Sequence, residues 1–336
     1  QKRIGQLLEH CTVGILGIGA IYHTVNPRLF PEQIAWIINH AEDKVLIFDK
    51  TFLPIVEAIK DTIPTVKSFV IYAGADTMPE NTLGAVPFDI WIDGRSTNVR
   101  WGDFPEDTAC GLCYTSGTTG DPKGVLYSHR STVLHAMSVA LSAGRLHLTE
   151  KDRVLPVVPL FHVNAWGLPY IAPMTGASLV FPGPKLDGAS LFDLMEAEGV
   201  TASWGVPTVW LGLLAEMRKR GTRPKSLASI LVGGSAPPRA MIEEFETKWN
   251  VEVVHGWGMT EMSPVGCLAL IPPAAMPDTD AERIDMKMKQ GRRIFQVETR
   301  IVDPDGKPLP HDGEASGELL VRGPAIASGY YEDPEA

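Results

Sequence analysis

Cysteine is scarce in this chain: four among 336 residues, too few for a disulfide framework. Cys110 and Cys113 form a CxxC pair, but no second pair and no histidines at metal spacing follow nearby. That excludes a zinc finger or ribbon, and leaves two thiols expected to pack in a core within a reducing, cytoplasmic compartment. Positive charge is also short, with 30 Lys and Arg against 40 Asp and Glu and a net charge of −10. Such a balance argues against nonspecific binding to nucleic acid or an anionic membrane, both of which need a basic face. The start, Gln1–His10, lacks the pattern of a signal peptide and reads as an amphipathic helix fragment.

One long segment lacks charge altogether. Val154 to Pro184 holds no Asp, Glu, Lys or Arg, a length that could span a bilayer. Six prolines interrupt it, together with His162 and Asn164, and such a backbone could not satisfy its hydrogen bonds in lipid. A buried strand, turn and helix beside an apolar pocket is the expectation, with no transmembrane segment.

What is present is ordinary globular material, 44% apolar and 21% charged, arranged as alternating strands and helices. Helices are expected at Pro31–Glu42, Leu53–Ile63, Ser131–Leu146 (with Ser131 as cap), Ser190–Glu198, Pro207–Lys219 and Pro238–Trp249. Strands are expected at Lys44–Phe48, Ser68–Tyr72, Ala109–Tyr114, Arg153–Val158, Ser178–Phe181, Thr201–Val206, Ser229–Val232 and Glu252–His255. This alternation implies an α/β fold of mostly parallel sheets covered by helices. Near Gly291 the pattern changes. Val297–Val302 and Glu318–Arg322 alternate like antiparallel strands, with the turn Asp303-Pro-Asp-Gly306 between them. The expected organisation is an α/β body over 1–290 and a smaller, incomplete β-rich subdomain over 291–336.

The most informative stretch is Tyr114-Thr-Ser-Gly-Thr-Thr-Gly-Asp-Pro-Lys-Gly-Val125, directly after an expected buried strand. Gly117, Gly120 and Gly124 permit backbone conformations that side chains forbid, and let amides approach a phosphate. Thr115, Ser116, Thr118 and Thr119 add hydroxyl donors without charge, and Lys123 supplies a cation. The loop is not a Walker A motif. Pro122 replaces that motif's second glycine, and Gly124 stands where Ser or Thr would hold Mg²⁺.

On these residues the chain resembles the adenylate-forming superfamily of acyl-CoA synthetases, luciferases and peptide-synthetase adenylation domains. The resemblance extends along most of the chain and implies the large N-terminal domain of that fold. Further motifs carry it. Gly233-Gly-Ser-Ala-Pro-Pro238 would let a flat ring approach the backbone, and the resemblance sets Gly234, Ser235 and Ala236 along adenine. His255-Gly-Trp-Gly-Met-Thr-Glu-Met-Ser-Pro264 is the stronger one. The resemblance sets His255, Gly256, Trp257, Gly258, Met259 and Thr260 about the nucleotide, with Gly256–Gly258 against adenine and acyl group and Thr260 near the α-phosphate. It also sets Glu261 on Mg²⁺, with Thr115 as second metal contact. A hard cation shared with phosphates does want carboxylate oxygen and few other protein ligands.

Pro159-Leu-Phe-His-Val-Asn-Ala-Trp-Gly167 lies in the uncharged segment. By the resemblance, His162 gates or flanks the substrate carboxylate, while Val163, Trp166, Gly167 and Trp257 shape the acid pocket. Lys123, Thr260, Glu261 and His162 are therefore the catalytic candidates. Gly317-Glu-Leu-Leu-Val-Arg-Gly-Pro324 and Gly329-Tyr-Tyr331 also match the family, and no catalytic role is assigned to them.

The implied reaction is attack of a carboxylate on the α-phosphorus of MgATP, then transfer of the acyl group to coenzyme A. His23-Thr-Val-Asn-Pro-Arg-Leu-Phe-Pro-Glu-Gln-Ile34 and the tryptophan of Gly256-Trp-Gly258 look most like medium-chain fatty acyl-CoA and methylmercaptopropionate-CoA ligases. An aliphatic, medium-chain acid is the expected substrate, with methylmercaptopropionate or another short-chain acid as alternative. An adenylation domain or luciferase-like enzyme is a second reading, though the Val157–Gly167 segment offers no aspartate for an amino group. A nucleotide-binding relative without catalysis is a third. Expected partners are the acid, ATP and coenzyme A, with a homodimer left open. The family's ribose-binding aspartate motif, hinge and mobile lid domain with its adenylation lysine have no matching residues here. These 336 residues alone are thus expected to turn over poorly.

Overall fold

The computed structural model describes residues 14–115, 121–142 and 147–333. The expected helix at Gln1–His10 and the loop positions Ser116, Gly117, Thr118, Thr119 and Gly120 lie outside the described residues. Strand β1 (Tyr22–His23) pairs in parallel with β5 (Ala109–Tyr114), which pairs antiparallel with β6 (Gly124–Ser128). Strands β2 (Val45–Asp49), β3 (Ser68–Tyr72) and β4 (Val86–Pro87) form a separate parallel sheet. The chain then builds β7 (Arg153–Pro156), β8 (Ser178–Leu179), β9 (Ala202–Gly205), β10 (Ser229–Val232), β11 (Glu252–Gly258), β12 (Val265–Leu268) and β13 (Arg292–Arg293). These make one seven-stranded sheet in the order β13-β12-β11-β10-β9-β7-β8. Its body from β8 to β11 is parallel, while β12 and β13 add to it antiparallel. Last come β14 (Glu298–Val302) and β15 (Glu318–Arg322), an antiparallel pair.

The central parallel strands β9 and β10 are buried on both faces, as in sheets covered by packing on each side. Successive residues go to opposite sides. Val154, Leu231 and Val254 enter a core with Cys110, Val125, Tyr127, Ala136 and Leu168. Their neighbours Leu155, Ile230, Val232 and Val253 enter a second core with Leu191, Trp210, Met217 and Phe245. Helices Gly188–Glu198 and Pro207–Arg220 thus cover one face. Helices His129–Ala140 and Leu168–Thr175 and the β1-β5-β6 sheet cover the other. The uncharged segment becomes β7, a turn and the helix Leu168–Thr175, and among the described residues no helix is long and apolar enough to cross a membrane.

Several boundaries differ from expectation for identifiable reasons. The helix expected at Ser131 begins at His129. Ser128, in extended conformation, accepts from the Ser131 N–H at 3.0 Å, and the Ser131 hydroxyl accepts from the Ser128 N–H at 3.0 Å. Ser131 is therefore the reciprocal partner in a capping box and Ser128 is the cap. Strand β11 continues past His255 to Gly258 because β12, absent from the sequence reading, pairs with it. The helix expected over Pro238–Trp249 is α-helical only over Arg239–Glu243 and winds as a π-helix over Glu244–Lys248. The change of pairing falls after Arg293, since β13 still belongs to the main sheet. Helix Asp280–Met288, also absent from the sequence reading, buries Ile284 in the second core.

Ser128→Ala removes the side-chain acceptor from this cap and should lower unfolding stability by about 1 kcal/mol. Equilibrium denaturant titration measures it, and an unchanged midpoint would refute this role for Ser128.

Candidate active site

The parallel strands β7, β10 and β11 and the strand β5 end at one place, and a cleft of about 460 Å³ opens there. A position beyond the carboxyl ends of parallel strands is where open α/β sheets bind ligands, because the loops there are free of packing demands. Thr115 and Lys123, Gly233 and Gly234, Gly256 to Glu261, and His162, Val163 and Trp166 all line it.

The phosphate loop is closed at its neck. The Thr115 N–H donates to the Lys123 carbonyl at 2.9 Å, and the Lys123 N–H donates to Thr115 Oγ1 at 3.1 Å. These bonds fix the two ends of the loop against each other at the head of β5 and β6. Tyr114 is held from outside by His40, whose Nδ1 lies 2.7 Å from the phenol oxygen. The Lys123 ammonium stands 3.8 Å from Asp333 Oδ2 and 4.8 Å from the centre of the Tyr330 ring. Both charged side chains are over 40% exposed, so the ion pair contributes little to stability and leaves the lysine available.

The turn carrying Thr260 and Glu261 depends on a missing side chain. A Cβ on Gly258 would lie 2.0 Å from the Pro264 carbonyl oxygen. With only hydrogen there, the Met259 N–H reaches that oxygen at 3.1 Å and the chain reverses from β11 into β12. Tyr127, in the buried core, donates its hydroxyl to the Thr260 carbonyl at 2.7 Å. His135 Nε2 accepts from the Val265 N–H at 3.0 Å. The turn is thus pinned from beneath by two buried side chains. Glu261 Oε1 accepts from the Tyr330 hydroxyl at 2.5 Å. That bond, and then burial, raise the Tyr330 phenol to about 12.

The other end of the cleft is apolar. Val163, Asn164, Ala165 and Trp166 all have positive φ, between 46° and 58°, so this segment is a left-handed turn. Such residues are costly outside glycine and persist only where their surroundings hold them. Here Asn164 is buried and its Oδ1 accepts from the Cys113 thiol at 3.2 Å. Trp166 lies against Gly233, where a Cβ would meet the indole at 2.9 Å. The His162 ring is 6.4 Å from the Trp166 ring, edge to face. It opens onto the cleft, yet desolvation by the walls lowers its pKa and favours the neutral imidazole.

Of the sequence candidates, Thr115, Lys123, His162, Val163, Trp166, Gly234, Gly256, Trp257, Gly258, Met259, Thr260 and Glu261 share this cleft. Four stand off its wall. Ser235 and Ala236 are exposed beyond Gly234. His255 is buried within β11, where desolvation lowers its pKa, because alternation along the strand turns it away from the opening. Gly167 faces His135, 3.2 Å from a virtual Cβ. The structure adds residues that the sequence reading left out: Gly233, Asp121, Pro264, Val265 and above all Tyr330 line the cleft. For Tyr330 the only signal was its place in the Gly329-Tyr-Tyr331 motif.

The CxxC thiols pack in the core, as expected from the sequence. Cys110 and Cys113 are free and buried, and burial raises both thiols to about 11.

Residues 10–331 match the AMP-binding enzyme family, and the chain belongs to it. A medium-chain-fatty-acid–CoA ligase of Ectopseudomonas oleovorans is 49% identical over 95% of this chain and 59% of its own length. A 3-methylmercaptopropionyl-CoA ligase of Ruegeria lacuscaerulensis is 49% identical over 99% of this chain and 63% of its own length. Among solved structures, an anthranilate CoA ligase in complex with anthranoyl-AMP superposes with a TM-score of 0.83 at 25% identity, covering 96% of this chain and 59% of that one. The chain therefore spans about three fifths of the relatives it matches.

The buried His135 offers a test of the turn's support. Complete burial lowers its pKa from the ordinary 6.5 to about 3, and its Nε2 must stay unprotonated to accept from Val265. The unfolded chain takes up a proton below 6.5 that the folded one refuses. Stability is thus fully present above pH 6.5 and is lost as pH falls towards 3, by about 1 kcal/mol per pH unit. His135→Gln keeps an acceptor without the titration, and its unfolding free energy should fall less steeply over that window. Identical slopes would rule this role out.

Proposed function

We propose that this chain is the nucleotide- and acid-binding part of an AMP-forming acyl-CoA ligase acting on an aliphatic carboxylic acid. The observation that carries the reading is the two-ended cleft. Thr115, Lys123 and Glu261 stand at its polar end, and Val163, Trp166 and Trp257 at its apolar end. Both relatives that share 49% identity are CoA ligases. They differ in acid, so overall identity does not choose between a medium-chain fatty acid and methylmercaptopropionate. The apolar walls favour an acid with no charged distal group, since such a group would need a buried partner, and both acids meet that condition.

A carboxylate is already ionised near neutral pH, so its attack on phosphorus needs no general base. The work left to the protein is placement and charge neutralisation. Lys123 and the loop that its neck closes would hold the phosphates, and Thr260 would face the α-phosphate. Glycines 234, 256 and 258 leave room for adenine. A neutral His162 beside Trp166 would border the carboxylate without adding charge. Glu261 and the Thr115 hydroxyl are hard oxygen donors suited to Mg²⁺. Among the described residues no group of three or more His, Cys, Asp or Glu forms a cage, which suits an ion that takes its remaining ligands from phosphate and water. Bound there, Mg²⁺ would screen the phosphate charge. Free buried thiols at Cys110 and Cys113 support a reducing compartment such as the cytoplasm. On this reading, residues 1–290 belong to the α/β body, which β13 extends to Arg293, and a smaller β-rich subdomain follows it.

Lys123→Ala should lower kcat/KM for the acid-dependent release of pyrophosphate by about 10²–10³-fold, the cost of removing one charge-stabilising donor. A loss under threefold would remove Lys123 from the machinery. The substrate is tested by measuring pyrophosphate release across short- to long-chain acids, with and without coenzyme A, in the protein that carries this chain. A medium-chain optimum with coenzyme-A-dependent AMP release is expected. AMP release that ignores the thiol would overturn the ligase reading.

A further inference from the structure

We infer that Tyr330 is a positioning residue that holds Glu261 and Lys123 apart and aims both into the cleft. The inference rests on the functional reading above and deepens it. Glu261 and Lys123 carry opposite charges and line the same opening, and two such groups left to themselves attract each other. A direct pair would draw the Glu261 carboxylate away from the metal it is read to hold, whereas the exposed Asp333 contact at 3.8 Å leaves the ammonium available. Tyr330 contacts both. Its hydroxyl donates to Glu261 Oε1 at 2.5 Å, and its ring face lies 4.8 Å beneath the Lys123 ammonium. One side chain thus satisfies an anion through its polar tip and a cation through its π-face.

The tyrosine is itself fixed by a strap over the site. The Ala327 N–H donates to the Glu261 carbonyl at 2.7 Å, and the Ser263 hydroxyl donates to the Ala325 carbonyl at 2.7 Å. On the far side of Tyr330, the Tyr331 N–H donates to the Gly124 carbonyl at 2.7 Å, next to Lys123. The strap therefore ties the Thr260–Glu261 turn to the exit of the phosphate loop, with Tyr330 between the two sets of ties. Because the hydroxyl bonds to Oε1, it restrains the carboxylate and leaves Oε2 available to a cation. A ligating carboxylate is commonly oriented by such a bond, and losing it costs about 10–100-fold in metal affinity.

The test compares the unaltered protein with Tyr330→Phe and Tyr330→Ala. A non-hydrolysable ATP analogue is titrated calorimetrically with Mg²⁺ or with EDTA, and bound Mn²⁺ is followed by its electron spin resonance in the presence of the analogue. Tyr330→Phe keeps the ring under Lys123, so metal-free affinity for the analogue should stay within about twofold. Its gain from Mg²⁺, and its Mn²⁺ affinity, should fall about tenfold or more. Tyr330→Ala should weaken binding in both conditions. If Tyr330→Phe keeps the Mg²⁺ gain of the unaltered protein, the inference is overturned while the functional reading stands. If the unaltered protein gains nothing from Mg²⁺, the functional reading fails and takes the inference with it. Should Tyr330→Ala fail to fold, Tyr330→Phe decides alone.

Discussion

Two-sided burial of the parallel strands is the constraint from which the rest follows. Strands β7, β9, β10 and β11 carry apolar side chains to both faces, so a charged group along their length would be buried without water. Polar chemistry is displaced to the strand ends, where the chain leaves the sheet. Thr115 follows β5, Gly233 and Gly234 follow β10, and Glu261 follows β11. The cleft is polar where these loops meet and apolar where the β7 turn folds back over the sheet. One packing rule therefore sets both the place of the site and its division into two ends.

The loops at those ends are held by backbone approach and by bonds from the core. Gly258 admits the Pro264 carbonyl, and Gly233 admits the Trp166 ring. A methyl group at either position would push apart the pieces that make the cleft. Tyr127 and His135 reach up from the helix-covered core to the Thr260–Val265 turn, while Asn164 anchors the left-handed turn to β5 through Cys113. The cysteine pair noticed in the sequence thus has a local task. Its thiols are kept protonated by burial, and one of them donates a hydrogen bond where a metal ligand would have to be a thiolate.

Periodicity made most of the sheet legible in advance. Ser229–Val232 and Ala109–Tyr114 are apolar runs of strand length between turn residues, and both are strands with the expected bounds. Ile34, Ile37 and Ile38 sit on one buried helix face as their spacing demands. Strand β6 escaped because its residues Gly124-Val-Leu-Tyr-Ser128 follow a loop motif whose chemistry drew the boundary. Strand β12 escaped because Val265-Gly-Cys-Leu268 is too short to signal by itself and exists by pairing with β11. The site was legible to the extent that a local motif carries it, as with Lys123, Thr260 and Glu261. His135 and Tyr330 lie far from those motifs in sequence, and only the fold brings them to Val265 and Glu261. His255 shows the converse: a residue inside the right motif that strand alternation turns into the core.

Charge at the cleft sharpens the functional reading. The charged residues that line it are Asp121, Lys123 and Glu261, with Asp333 paired to the lysine. Three carboxylates therefore stand around one ammonium, in a protein whose net charge is −10. A polyphosphate entering alone would meet repulsion that one lysine and a set of neutral amides do little to offset. A polyphosphate that brings a divalent cation changes the sign of that balance, because Glu261 then gains an attractive partner. On the proposed function, the excess of acid at the rim would be unfavourable for a bare nucleotide and favourable for its metal complex. On the same reading, the three carboxylates would favour the complex over the free nucleotide, with Glu261 placed on the cleft wall to meet the cation.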